Sequence, residues 1–330
     1  MRAFLPYFAR VIAYLLFATV HLCNCNSSSS VKGLLDIPTE RHKHLQAFLT
    51  DQLRQPRLED VKKTMNPAQL SIFSAGDSSA AGSWTDIIPS NDLHMQMSDA
   101  QFIHAAKRRI ILIDEADAGQ TCGCAARAII DQNWIHKMNC AWAAGKGRIS
   151  THDDLKFDLA AFFTSGGLSV KWEQRLWKKT HNSEERMDLI VRAGAAPGMA
   201  HAIYDMDLTI VNAMTSKTTN SSTKTNVETI LNEAVTRKQR KYSEKSKSIG
   251  HHFVALAFFV QGNWHKDFAN LFDLVVKLSG ESERSSSAVY WKRRISAIIQ
   301  KGISNHLLES SRRIHKRQNN FFQQMNSLAT

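Results

Sequence analysis

The chain has 330 residues, of which 43% are hydrophobic. It can therefore bury the core of one large domain or two ordinary domains, and it is too long for a small disulfide scaffold. Lysine and arginine outnumber aspartate and glutamate by 42 to 30, giving a formal net charge of +12. This excess favours a polyanionic partner, either nucleic acid or a membrane surface.

The first 25 residues differ in composition from the rest of the chain. Arg2 and Arg10 occur there without any acidic residue, and the largely apolar run Val11–Leu22 precedes Cys23–Cys25. This order predicts a signal peptide (1–25) and a secreted protein that begins near Asn26. The apolar run is shorter than the roughly 20 residues that span a bilayer, so we expect no stable membrane span. The alternative is a buried helix at a truncated amino terminus.

Removal of such a leader leaves Cys122, Cys124 and Cys140, an odd number that suits a disulfide framework poorly. A protein that is exported but works inside another cell, where thiols stay reduced, satisfies both observations.

Residues 26–67 are polar and charged, which predicts a disordered arm. The arm contains Arg54-Gln55-Pro56-Arg57 followed by acidic residues. Behind a leader, this arrangement resembles the Arg-x-Leu-Arg translocation motif of oomycete secreted effectors, with Pro56 in place of leucine. The residues that carry the resemblance are Arg54, Arg57, Glu59 and Asp60.

Beyond the arm, hydrophobic periodicity predicts a mixed α/β sheet flanked by helices. Residues 75–84 read as a loop. Helices are predicted at Asp99–Leu112, Ala125–Met138, Asp153–Phe163 and Val227–Ser246, and strands at Met187–Val191, Met206–Val211 and Val254–Val260. We divide this part into a helical region with a knuckle (68–150), an α/β domain (151–275) and a basic helical tail (276–330).

Three cysteines and one histidine make up the ligand set of a structural zinc site. Cys122 and Cys124 are separated by one residue, and His136 and Cys140 lie four apart, so both members of the second pair share one face of a helix. The other interpretation is that these are ordinary packed cysteines.

A second set of residues has the composition of a phosphodiester-cleaving site. Acidic residues on adjacent strands can hold a hard divalent cation such as Mg²⁺, and a nearby lysine can stabilise developing charge. The other interpretation is that the acids only solubilise strand edges. The set consists of Glu173, Asp188, Asp207, Lys238, Lys241 and Tyr242.

The order of these motifs resembles the region that follows the polymerase in non-LTR retrotransposon proteins, over about residues 68–310. There a zinc knuckle precedes a restriction-like endonuclease of the PD-(D/E)XK class. The matching motifs are Ala81-Gly82-Ser83-Trp84, the Cys/His set, Arg186-Met187-Asp188, Asp207–Asn212 and Lys238-x-x-Lys241-Tyr242.

The resemblance implies that the Cys/His set binds zinc and that Asp188 and Asp207 bind the catalytic metal. Glu173 would be an accessory acid, and Lys238 or Lys241, with Tyr242, would match the displaced lysine and tyrosine. Met187, Thr209 and Thr151 depart from the family pattern, where proline, lysine and arginine are usual. These departures indicate a retained fold with an inactive site and leave activity open.

Further basic clusters and two glycosylation acceptor sites complete the set of motifs. The clusters are Lys107–Arg109, Arg237–Lys241, Lys292–Arg294 and Arg312–Arg317, and the acceptors are Asn26 and Asn220. Each cluster is either a phosphate contact or a solvated helix face, and Arg237–Lys241 also fits a nuclear import signal.

Two functional predictions follow. The first is a secreted pathogen effector that modulates immunity or cell death inside host cells, including the host nucleus, through nucleic acid or an unknown host protein. The second is a metal-dependent DNA endonuclease of retrotransposon type, or its inactive remnant.

Overall fold

The computed structural model describes most of the chain after residue 57. The described residues are 58–87, 92–109, 117–132, 134–144, 147–177, 184–194, 201–214, 227–278, 280 and 284–328. The predicted leader lies outside this part of the chain, as do Arg54, Arg57, Asn26 and Asn220.

The chain divides into two compact units, Met1–Thr64 and Met65–Thr330. In the first unit only residues 58–64 are described, and they are helical. Glu59 and Asp60 lie in this helix and pair with Lys62 and Lys63 at 2.9 Å. Such pairs at i, i+3 support a helix, so these few residues of the predicted arm are helical.

The second unit contains helices and a sheet. In chain order the elements are α1 (Pro67–Gly76), α2 (Ser79–Gly82), a 3₁₀ helix (Ser83–Asp86), α3 (Asp99–Arg109), α4 (Ile135–Asn139), α5 (Ala141–Ala144), α6 (Gly147–Ser165), β1 (Ser169–Gln174), β2 (Met187–Arg192), β3 (Ile203–Val211), α7 (Val227–Lys247), β4 (His252–Phe259), α8 (Lys266–Leu278) and α9 (Arg284–Leu328).

The four strands form one mixed sheet in the order β1-β2-β3-β4. β1 and β2 are antiparallel, and so are β2 and β3. After the crossover through α7, β4 runs parallel to β3. The mixed sheet flanked by helices confirms the predicted fold class at this level.

Side-chain alternation along the strands separates two cores. One face packs against α6, α8 and α9 through buried residues that include Leu189, Leu256 and Phe258. The other face packs Ala255 and Ala257 against Leu231 and Val235 of α7. The sheet is therefore covered on both sides, which explains why the β4 sequence is an unbroken apolar run.

Local sequence explains several helix boundaries. Asn66 and Gln69 form a capping box at the start of α1, and Pro67 occupies its first position. The Ser78 side chain caps α2. These caps make most of the 75–84 segment helical, so the predicted loop there is wrong. The loop was predicted from the content of small residues alone, but such residues also form helices when the helix ends are capped.

The predicted helix at Ala125–Met138 is wrong over most of its length. Residues 120–130 form a tight turn closed by backbone hydrogen bonds from Cys122 N–H to the Ala128 carbonyl and from Ile130 N–H to the Gln120 carbonyl, both 2.9 Å long. Arg127 takes up a left-handed conformation inside this turn, which a continuous helix does not allow. Among the described residues of this stretch, only those from Ile135 onward are helical, in Ile135–Asn139.

The carboxyl-terminal helix α9 contributes directly to the core. Ile295, Ile299, Ile303 and Leu307 repeat every four residues and are fully or almost fully buried. The proposed boundaries at 150 and 275 fall inside α6 and α8, and Met65–Thr330 forms one compact unit. The basic residues of α9 lie beside this buried stripe, as in an amphipathic helix.

Candidate functional site

The two aspartates predicted as metal ligands meet where β2 and β3 separate. Strand pairing ends at Leu189 and Met206, one residue short of Asp188 and Asp207. Beyond that point the Asp188 side chain takes the place of a backbone hydrogen bond between the strands, because its Oδ2 accepts a hydrogen bond of 2.7 Å from the Leu208 N–H. The two carboxylates therefore lie at one rung of the sheet.

Asp207 is nearly buried, and Lys238 of α7 forms an ion pair with its Oδ2. Burial raises the pKa of Asp207, and the nearby Asp188 carboxylate adds to that rise, although Lys238 opposes it. The site therefore places a nearly buried carboxylate, paired with one lysine, next to a second carboxylate.

His152 of α6 also belongs to this cluster, and the sequence analysis did not include it among the site residues. Its Nε2 lies 3.3 Å from Asp188 Oδ2, and the hydrogen bond that the ring donates to Asp188 raises the pKa of His152. The predicted helix Asp153–Phe163 began one residue too late to include His152, whereas the observed helix starts at Gly147. An earlier start would have placed His152 and Lys156, four residues apart, on one helix face.

Glu173 lies beside this cluster but is held by other partners. It interrupts the β1–β2 ladder with a φ of 51° between the paired residues Trp172 and Gln174. Its carboxylate contacts Lys156 at 2.6 Å and Arg186 at 3.7 Å. Burial lowers the pKa of Lys156, yet the hydrogen bonds that its ammonium group donates to Glu173 and Asp153 raise it overall.

The structure separates the roles of the two lysines on α7. Lys238 contacts Asp207, whereas Lys241 contacts Glu185 at 2.8 Å. The bond to Glu185 raises the pKa of Lys241. Tyr242 is buried and stacks on Trp177 with ring centroids 5.5 Å apart, and the Lys238 Nζ lies 5.8 Å from the Tyr242 ring. Tyr242 therefore packs in the core beside Lys238.

We expect the His152→Gln substitution to lower the free energy of unfolding by about 1 kcal/mol at pH 6 and by less at pH 9. Because Asp188 raises the pKa of His152 in the folded protein, folding favours the protonated ring. This contribution is complete below the unfolded pKa of about 6.5 and is lost as the pH rises through the folded pKa. Urea denaturation at both pH values measures it, with the exposed residue change His201→Gln as the control. An equal difference at both pH values would contradict the expectation.

The Cys/His set converges as predicted. The ligand atoms of Cys122, Cys124, His136 and Cys140 all lie within 4.8 Å of one another. The Sγ atoms of Cys122 and Cys140 are 3.8 Å apart, and Cys124 Sγ is 3.7 Å from His136 Nε2. Sulfur ligands about 2.3 Å from a tetrahedral zinc ion lie about 3.8 Å apart, so the cluster can hold a metal such as zinc.

Local backbone contacts hold the four ligand residues in place. Asp131 accepts hydrogen bonds from the N–H groups of Ile135 and His136, at 2.9 and 2.7 Å, and so fixes the start of α4. A Cβ at Gly123 would lie 2.3 Å from the Trp142 ring, so only glycine fits between the two cysteines. Burial raises the pKa of Cys122 to about 12. Metal binding there therefore releases a proton.

Each of the four basic clusters contains a residue with an internal partner, and in two of them that residue holds α9. Arg108 is half-buried and donates a 2.8 Å hydrogen bond to the Gln300 side chain. Arg294 forms a two-pronged contact with Asp158 at 2.6 and 2.8 Å. These two guanidinium groups stabilise the packing of α9, so neither is available to contact phosphate.

Comparison with known proteins identifies no relative. No protein-family model matches the chain, and no curated protein matches its sequence. Within the described residues, no helix is both long and apolar enough to cross a membrane.

Proposed function

We propose that this chain binds nucleic acid and hydrolyses phosphodiester bonds with a divalent cation held by Asp188 and Asp207. The observation that carries the proposal is the meeting of both carboxylates and Lys238 at the point where β2 and β3 separate. The residues suit Mg²⁺, which prefers carboxylate oxygens and retains bound water. When bound, the cation would supply Lewis-acid stabilisation of the phosphate and activation of a water molecule.

Each neighbouring side chain has a role in this proposal. Lys238 neutralises Asp207 in the resting site and would move toward the phosphate charge that increases during hydrolysis. His152 orients Asp188, because it contacts the same oxygen that accepts the Leu208 N–H. Glu173 is bound to Lys156 and supports the edge of the site.

Two of the three departures from the family pattern have local explanations. Thr209 stands where a lysine is usual, and Lys238 brings an ammonium group from α7 to Asp207. Met187 stands where proline is usual, and its side chain is fully buried against Trp177 and Tyr242. The charge required near the carboxylates is thus present, although it comes from a different element.

We expect the Lys238→Met substitution to lower the cleavage rate about 100-fold, as for removal of one stabilising group in other enzymes. The matched control is Lys241→Met, because Lys241 lies one helical turn away and contacts Glu185 instead. The measurement is cleavage of labelled DNA and RNA by the full chain in Mg²⁺ or Mn²⁺, with a chelator as the blank. Absence of cleavage by folded wild-type protein, or cleavage that survives chelation, would contradict the proposed function.

A second proposal concerns where the protein acts. We propose export through the leader and delivery into another cell, on the composition of residues 1–25 and the Arg54–Arg57 motif. Amino-terminal sequencing of secreted protein should find a start near Asn26. Retention of an uncleaved chain inside the producing cell would contradict export.

A further inference from the structure

Two aromatic side chains at the edge of the sheet are unusually exposed. Phe157 of α6 and Trp172 of β1 are each 50% exposed within the described part of the chain. Their rings meet edge to face, with centroids 5.2 Å apart and planes at 87°. The mutual contact holds both rings in defined orientations while leaving a large aromatic surface open to solvent.

This aromatic pair lies beside the proposed site. Trp172 is paired with Leu189, the residue next to Asp188. Lys156 connects the pair to the site, because its Nζ lies 5.5 Å from the Phe157 ring and contacts both Glu173 and Asp153. Asp153 in turn contacts His152, which contacts Asp188.

The charge around the pair distinguishes between possible occupants. Lys156 is buried and bound to Glu173 and Asp153. The exposed cations are Lys171, the neighbour of Trp172 on β1, and Arg186, just before β2. An apolar protein surface would gain nothing from these cations. A nucleobase stacked on an aromatic ring carries phosphates that do, and both features occur together in sites for single strands.

We propose that Phe157 and Trp172 form a stacking platform for an unpaired nucleobase, which makes single-stranded nucleic acid the preferred substrate. The proposal rests on the proposed function and specifies its substrate class. In a duplex the bases are stacked on one another and cannot reach the platform without unpairing. The platform therefore binds single strands, flaps or frayed ends and positions a neighbouring phosphodiester near Asp188 and Asp207.

The test is fluorescence anisotropy of a labelled oligothymidine and of the matching duplex, titrated with the full chain loaded with zinc. Trp172→Leu keeps an apolar side chain but removes the aromatic face, so we expect about tenfold weaker binding of the single strand. Trp172→Phe should restore most of that binding. Duplex binding should change little in either variant, and Leu93→Ala, at an exposed leucine outside the sheet, serves as the control.

Three results would overturn the platform in distinguishable ways. Equal single-strand binding by wild type and Trp172→Leu would overturn the platform alone and leave the proposed nuclease intact. Self-association that only Trp172→Leu abolishes, with unchanged DNA binding, would assign the pair to a contact between two copies of the chain. Failure of the wild type to bind any oligonucleotide would overturn the nucleic-acid part of the proposed function as well.

Discussion

Replacing Asp207 by asparagine is expected to abolish metal-dependent cleavage, with a loss of at least about 1,000-fold, while leaving the protein folded. The substitution preserves the shape of the side chain and removes the charge that a cation requires. Burial raises the pKa of Asp207, which means that its ionised form opposes folding above the usual carboxyl range. Loss of that charge should therefore not lower the melting temperature greatly, although Lys238 loses its counter-ion.

The matched control is Asp273→Asn, which changes an exposed aspartate on α8 in the same way. We expect this variant to cleave at the wild-type rate. Cleavage rates are measured under single-turnover conditions, and melting temperatures by circular dichroism on the same samples. Full activity of folded Asp207→Asn protein would exclude Asp207 as a metal ligand.

Replacing His136 by glutamine is expected to weaken zinc binding by more than about 100-fold, since even loss of an outer hydrogen-bond partner weakens metal binding 10- to 100-fold. Because structural zinc binding contributes directly to folding, the knuckle should lose its order in this variant. Ile314 of α9 packs in the same cluster as Cys122, so the end of α9 should become sensitive to protease.

Zinc content by mass spectrometry and limited proteolysis measure these effects, and His201→Gln serves as the control. His201 is exposed and does not belong to the cluster. Wild-type protein that purifies without metal and shows no protection by added zinc would contradict a structural metal site. Equal zinc content in both histidine variants would exclude His136 as a ligand.

Hydrophobic patterning predicted three of the four strands, because these are short apolar runs, and missed β1, whose residues are mostly exposed. Val254–Val260 coincides closely with β4, and Met187–Val191 differs from β2 by one residue. The same reasoning located Asp188 and Asp207 beside strands. It could not show that β2 and β3 separate at those residues, because separation depends on the Asp188 side chain taking the Leu208 N–H.

Other features were beyond the sequence for definite physical reasons. Lys238 and Lys241 are three residues apart on one helix, so spacing could not decide which of them reaches Asp207. The turn at 120–130 depends on the left-handed backbone of Arg127. Hydrophobic periodicity does not detect a single residue in that conformation. The core role of α9 was hidden because its buried stripe runs through a strongly basic sequence.

The central claim is that Asp188 and Asp207 form a divalent cation site, and isothermal titration with Mn²⁺ tests it most directly. The full chain is first loaded with zinc, so that the Cys/His set is occupied and any further binding is separate from it. We predict one additional Mn²⁺ site in the wild type that is absent in the Asp188→Asn, Asp207→Asn double variant. Equal Mn²⁺ binding by the two proteins would contradict the account.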